Sequence, residues 1–365
     1  MCWARVARAA LALVALALGA AGAGGAPGRG QLAALGDILP PFITDNFDQL
    51  VQAAADTCEA LPLDVLFSRR ATPESRLVNV VEVTRSSRRS YRAKQAHEHL
   101  LEYEPPPTEV LIYIPGWLNT PTDESSDTLI KALIQRYPII LIFDTRLPFG
   151  RGYVSSSSQI NALSHLLYEM IEKLLQNGLE LKTLHLLGFS LGSHVAGMTG
   201  KLIRERMNKQ LERITALDPA KPCFAKSSAY TLRREDAKFV QVIHTSAVLG
   251  FEKPLGHVDV YANGVSVKQP ECADMAISLE CDHAQAWRLY ASSAVDERSF
   301  TAQRCPSWHD LASGRCSGNE TVVGFGVDTN ARGIFLYKSK GFRKRNDKRL
   351  RVYSPFDIFT KLFHN

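Results

Sequence analysis

A serine between two glycines, Gly188-Phe189-Ser190-Leu191-Gly192, separates an apolar run ending at Leu187 from a helix-like stretch running from Ser193 to Met207. Leu184-His185-Leu186-Leu187 reads as a buried strand, and Val195, Met198, Leu202 and Met207 recur near helical spacing. Strand, tight turn and helix in that order make a nucleophile elbow. A serine hydroxyl is a weak nucleophile, so the turn has to push Ser190 out of the backbone into a cleft. Glycines on either side remove the Cβ atoms that would clash there. The surrounding chain alternates in the same way. Strand-like runs at Val110 to Ile114, Pro138 to Phe143, Leu184 to Leu187, Ile214 to Leu217 and Phe239 to His244 are separated by helix-like stretches. That pattern predicts a mainly parallel sheet covered on both faces. The clearest helix carries Ile160, Leu163, Leu167, Met170, Ile171, Leu174 and Leu175 on one face and stops at Asn177-Gly178.

An elbow serine needs an acid and then a histidine later in the chain. Ile214-Thr215-Ala216-Leu217 is a short apolar strand ending at Asp218-Pro219, so Asp218 falls at the carboxyl end of a strand, where α/β enzymes gather their chemistry. Asp236 and Asp259 are weaker candidates. His283 lies in Cys281-Asp282-His283-Ala284, beside a cysteine able to tether its loop. His244 and His257 lie in or beside apolar strands, where a hydrogen-bonded core histidine is the commoner outcome.

The 365 residues are 45% hydrophobic and 22% charged, enough for a large core and against disorder. Arg5 and Arg8 precede an Ala/Leu run from Ala9 to Leu18 and small residues through Ala26, the pattern of a signal peptide over 1–26; the apolar run is shorter than a spanning helix needs. One of the seven cysteines, Cys2, lies in that segment, leaving six. Cys272 with Cys281 and Cys305 with Cys316 are the sensible local pairs, leaving Cys58 with Cys223, although fifteen pairings are formally possible. Zinc is not expected at these spacings. Asn319-Glu320-Thr321 is a glycosylation sequon just beyond Cys316. These features predict an exported, extracellular protein.

Residues 27–108 read as a lead-in of strands and covering segments, 109–340 as the catalytic domain, and 341–365 as a basic then apolar tail. Eight cations from Lys338 to Arg351 against Asp347 give this region +7 in a chain of net +6, leaving the rest near −1. Such a stretch has the charge to touch anionic lipid. Nucleic acid is not expected to be a partner.

From about Val110 to Tyr337 the chain resembles the secreted lipase family typified by pancreatic lipase, and most closely its one-domain insect members with short lids, which are phospholipase A1-like. The resemblance is carried by Gly188-Phe189-Ser190-Leu191-Gly192-Ser193-His194-Val195-Ala196-Gly197, Ile214-Thr215-Ala216-Leu217-Asp218-Pro219-Ala220-Lys221-Pro222-Cys223-Phe224, Asp236-Ala237-Lys238-Phe239-Val240, Ile243-His244-Thr245, Gly256-His257-Val258-Asp259 and Cys305-Pro306-Ser307-Trp308. It implies the α/β-hydrolase fold, a central parallel sheet flanked by helices; too little chain follows Lys340 for the C-terminal β-sandwich of vertebrate members. It implies that Ser190 is the nucleophile, His283 the general base and acid, and Asp218 the group that orients the imidazole, with backbone N–H groups of Trp117 and Leu191 as the oxyanion hole. No cofactor is implied. Lipid at a membrane or other interface is the implied substrate, phospholipid or acylglycerol. Pro115 replaces a histidine in the first oxyanion loop, Phe189 replaces the histidine usual before the nucleophile, and Asp144-Thr145 stands where Asp-Trp is common. The charge order of Thr231-Leu232-Arg233-Arg234-Glu235-Asp236 does not suit the calcium of vertebrate members. Ala273 to Glu280 and Ser246 to Leu255 are short where triglyceride lipases carry a lid and a long loop, so phospholipid is the expected substrate. The alternative is a catalytically weak or inactive lipid-binding, yolk-type protein on the same fold.

Overall fold

The computed structural model describes residues 56–58, 66–67, 77–100, 103, 107, 109–150, 152–226, 229–265, 267–273, 278–298 and 300–339. The expected signal peptide, the tail 341–365 and most of residues 27–76 lie outside them.

Five strands and four helices form the centre of the fold. β3 (Val110–Ile114), β4 (Ile139–Asp144), β5 (Leu184–Phe189), β6 (Leu211–Leu217) and β7 (Ala237–His244) are parallel, in the spatial order β4, β3, β5, β6, β7. β8 (Val258–Ala262) and β11 (Gly333–Tyr337) continue the parallel run. Antiparallel strands finish both edges, β1 (Asn79–Val83) and β2 (Arg88–Arg92) beyond β4, and β9 (Thr301–Cys305) and β10 (Glu320–Val322) beyond β11. Every residue of β3, β4 and β5 is buried. Strands covered on both faces read as continuous apolar runs, which is why Val110-Leu111-Ile112-Tyr113-Ile114 shows no polar alternation.

The period of two sorts these side chains between two layers. Val110, Ile112, Ile114, Leu186, Ile214 and Val240 join a core with α4 (Ile160–Gln176) and α5 (Leu191–Met207), while Leu111, Tyr113, Leu187, Phe189, Leu217 and Ile243 face the opposite layer. That second layer holds α2 (Glu124–Leu133) and α6 (Ser278–Val295), through Leu129, Leu133, Ala286, Trp287 and Tyr290. Three further helices, α1 (Ala96–Leu100), α3 (Tyr153–Ser157) and α7 (Trp308–Ala312), are short. The apolar stripe of α4 is fully used, with Leu163, Leu167, Met170, Ile171 and Leu174 all buried, each contributing about 1.5–3 kcal/mol of transfer free energy. Asn177 caps this helix and Gly178 follows at φ +100°, a left-handed exit that glycine makes without strain. Disulfides join Cys58 with Cys223, Cys272 with Cys281 and Cys305 with Cys316. No helix among the described residues is long and apolar enough to cross a membrane.

Helix α5 packs with its backbone almost against the turn that precedes β7. A Cβ on Gly200 would lie 2.1 Å from the carbonyl oxygen of Asp236. Alanine would gain about 1 kcal/mol of helix propensity but overpack a backbone contact that no rotamer change relieves, at about 1–3 kcal/mol. Gly200→Ala is therefore expected to destabilise the protein by about 1 kcal/mol in urea unfolding. Unchanged stability would mean that α5 and the turn separate freely.

Candidate active site

The parallel strands end in register. Ile114 lies beside Gly188, Phe189 beside Leu217, and Leu217 beside Ile243, so the residues that follow, Pro115 to Trp117, Ser190, Asp218 and Thr245, emerge at one edge of the sheet. Ser190 is held at φ 54° and ψ −119°, a conformation that costs a non-glycine residue about 1–3 kcal/mol. Three hydrogen bonds hold it there. Its N–H donates to Leu217 O at 3.0 Å, and its carbonyl accepts from Ser193 N at 3.1 Å and Ala220 N at 3.3 Å. Gly192, two residues on, lies so close to the end of β3 that a Cβ would be 2.1 Å from Ile114 O. Ser190 therefore sits at the N-terminus of α5, whose dipole and unpaired N–H groups favour negative charge.

Asp218 is fully buried, and its Oδ2 lies 2.6 Å from His283 Nδ1. Its Oδ1 accepts the backbone N–H groups of Thr245 at 2.8 Å and Ser246 at 3.2 Å, so both oxygens are engaged. Room for this carboxylate comes from Gly250, where a Cβ would lie 2.3 Å from Oδ1. His283 is on the second turn of α6, two residues beyond bridged Cys281, with Phe189 against its imidazole at a centroid distance of 4.7 Å. Sequence reasoning missed Gly250, the Thr245 and Ser246 amides and the ring contact. Gly250 alone left a signal, as a glycine between Leu249 and Phe251 in a short loop.

The loop after β3 sits against the elbow, with the Gly116 Cβ position 2.9 Å from Ser190 Cβ. Pro115 supplies no N–H, and other bonds shape the turn: Asn119 N donates to Gly116 O at 3.3 Å, Leu118 N to Phe149 O at 3.4 Å, and Asn119 Nδ2 to Asp123 Oδ2 at 2.7 Å. Asp123 also caps α2 by accepting Ser126 N at 2.9 Å, tying the loop to that helix. The Trp117 ring meets Tyr153 edge-on at 5.3 Å. Leu191 follows Ser190 as the first residue of α5.

Serine on an elbow, then an acid after the next strand, then a histidine paired with that acid is the chain order of α/β-hydrolases. Within that class the chain belongs to the lipase family, whose model, described as Lipase, matches residues 94–341. It is 36% identical over 200 residues to lipase member H of Oryctolagus cuniculus, covering 52% of this chain and 42% of the relative. It is 34% identical over 209 residues to phospholipase A1 member A of Homo sapiens, covering 55% of this chain and 43% of the relative. The match thus spans less than half the length of these relatives.

The rival residues have other employment. His244 is buried with Nδ1 2.7 Å from Phe251 O and Nε2 2.9 Å from Asp259 Oδ1, and Asp259 also accepts the N–H groups of Leu255 and Gly256. The pair staples the loop that follows β7. His257 Nδ1 accepts Val240 N at 3.1 Å. Asp236 accepts Arg233 N at 2.8 Å with the Arg204 guanidinium 3.8 Å away. Burial dominates there and raises its carboxyl from 3.8 to about 7, with the Arg233 amide and Arg204 opposing. The native state thus holds a proton that the unfolded chain has released, and the stability this adds is present below pH 3.8 and lost as pH rises through about 7. Asp236→Asn keeps an acceptor for Arg233 N without titrating. Its melting temperature is expected to fall less than the wild type's between pH 5 and pH 8; parallel falls would reject this role.

Proposed function

We propose that this protein is a secreted serine carboxylic-ester hydrolase acting on lipids. The observation that carries the reading is the 2.6 Å contact of His283 Nδ1 with buried Asp218, beside the strained elbow of Ser190. Ser190 Oγ attacks the ester carbonyl carbon while its proton passes to His283 Nε2. Asp218 accepts the Nδ1–H and stabilises the imidazolium. The oxyanion forms between the N–H groups of Leu191 and Trp117, where each such donor typically contributes about 3–4 kcal/mol to the transition state. The carbon–oxygen bond to the alcohol breaks, and the alcohol leaves with the proton from Nε2. Water then gives a proton to His283 and its oxygen to the acyl carbon, and the second tetrahedral intermediate releases the fatty acid as Ser190 recovers its proton.

Lipid is supported by the surroundings of the elbow. Leu118, Leu147, Val248 and Val267 are 37% to 53% exposed and follow β3, β4, β7 and β8, at the edge of the sheet where Ser190 stands. Apolar surface of this kind favours contact with acyl chains over water. Export is supported by three disulfides and by the leader pattern in residues 1–26. Asn319 is exposed just before β10, a position open to glycosylation. Lys338 donates to Gly314 O at 3.1 Å; the other cations of the segment proposed to meet anionic lipid, Lys340 to Arg351, lie outside the described residues.

A phospholipid is the preferred substrate in this reading. Only eight residues separate Cys272 from Cys281, and only ten run from Ser246 to Leu255, so the walls are short and a charged headgroup need not be buried unpaired at a cost of several kcal/mol. The likeness to a relative named phospholipase A1 agrees with this preference.

Ser190→Ala and His283→Ala are each expected to abolish nearly all ester hydrolysis while the protein stays folded, because the parts of one nucleophilic unit fail together. An organophosphate is expected to label Ser190; labelling at another serine, or none in a folded and active preparation, would reject the assignment. Fatty acid release from the sn-1 position of phosphatidylcholine is expected to exceed release from trioctanoin under matched interfacial conditions. The reverse order would make the protein a triglyceride lipase.

A further inference from the structure

The side chain immediately before Ser190 joins the base to the loop opposite it. Alternation along β5 sends Leu184 and Leu186 toward α4 and α5, and Leu187 and Phe189 toward the layer of α2 and α6. His283 is carried on α6, so the last side chain of β5 points at the imidazole. The Phe189 and His283 rings lie 4.7 Å apart between centroids with their planes 35° apart, and Phe189 is 5% exposed. Phe189 Cδ1 is also 3.2 Å from the Cβ position of Gly116. One ring therefore touches both the imidazole and the loop after β3.

The hydrogen bond at Nδ1 holds one ring atom of His283 against Asp218 only within hydrogen-bond tolerance, so the imidazole can still rock about its Cβ–Cγ bond. Nε2 lies off that axis and is displaced with the ring. A flat aromatic surface packed on the imidazole removes this freedom and keeps water from that side of the ring. We propose that Phe189 is a positioning residue for His283, setting the imidazole plane so that Nε2 faces Ser190. The inference rests on the proposed role of His283 as the base.

Leucine is apolar but has no flat surface; tyrosine keeps the ring. The full chain carrying Phe189→Leu, Phe189→Met or Phe189→Tyr can be compared with wild type on the soluble ester p-nitrophenyl butyrate. Phe189→Leu is expected to lower kcat about tenfold with KM within about twofold, since misplacing a catalytic group costs rate more than binding. Organophosphate labelling of Ser190 should slow by a similar factor. Phe189→Met should match leucine and serves if the leucine variant does not fold, while Phe189→Tyr should stay within about threefold of wild type. A kcat for Phe189→Leu within twofold of wild type, or an equal fall in Phe189→Tyr, would overturn the proposal and leave the ring as core packing. A second readout needs no turnover: the low-field proton resonance of the His283 Nδ1–H is expected in wild type and Phe189→Tyr and to broaden in Phe189→Leu. Its persistence unchanged in Phe189→Leu would also overturn the positioning role. A wild type without esterase activity whose resonance still responds would instead remove the hydrolase reading and leave the ring contact standing.

Discussion

The contact between the first turn of α5 and the end of β3 governs what surrounds Ser190. Gly192 meets Ile114 O so closely that no Cβ fits between them, and this brings the loop from Pro115 to Asn119 against the elbow. The helix enters at that angle because Ser190 takes a conformation few residues adopt, held by Leu217 O on β6 and by Ala220 N beyond it. Strain of about 1–3 kcal/mol is small beside the burial of the strands and helices on either side, so the sheet imposes it.

Asp218 and His283 depend on a second set of contacts. Asp218 is a carboxylate without solvent, and such a group is tolerated only when its oxygens are hydrogen-bonded. Thr245 and Ser246 supply two amides from the loop after β7, and that loop is held in turn by the His244 and Asp259 pair. His244, one of the other candidate histidines, thus supports Asp218 at one remove. Gln269 extends the arrangement: its Nε2 donates to Thr245 O at 2.9 Å and its N–H to Asp282 Oδ1 at 2.9 Å, linking the same loop to the residue before His283. Burial raises the Asp282 carboxyl to about 6, with the Gln269 amide opposing.

Much of this was legible in the chain itself. The continuous apolar runs of β3, β4 and β5 and the stripe and stop of α4 are local patterns, set by whether one face or two are buried. Ser190 was singled out by its turn, Asp218 by a strand end, and His283 by its place beside Cys281. β2 was harder, because Arg88-Arg89-Ser90-Tyr91-Arg92 is an edge strand with no buried face to impose a pattern.

What the sequence by itself determined was the alternation of elements, and with it a parallel sheet whose carboxyl ends carry the polar residues. Only tertiary structure decided which of them meet. Asp218 and His283 are 65 residues apart, and their contact depends on α6 crossing the face of the sheet to which Phe189 points. Asp218, Asp236 and Asp259 are alike in one dimension, each at or near the end of a strand. They differ because registry carried the first to His283, the second beneath α5 and the third to His244. Pairing between distant residues is set by how whole elements pack, and no local pattern records it.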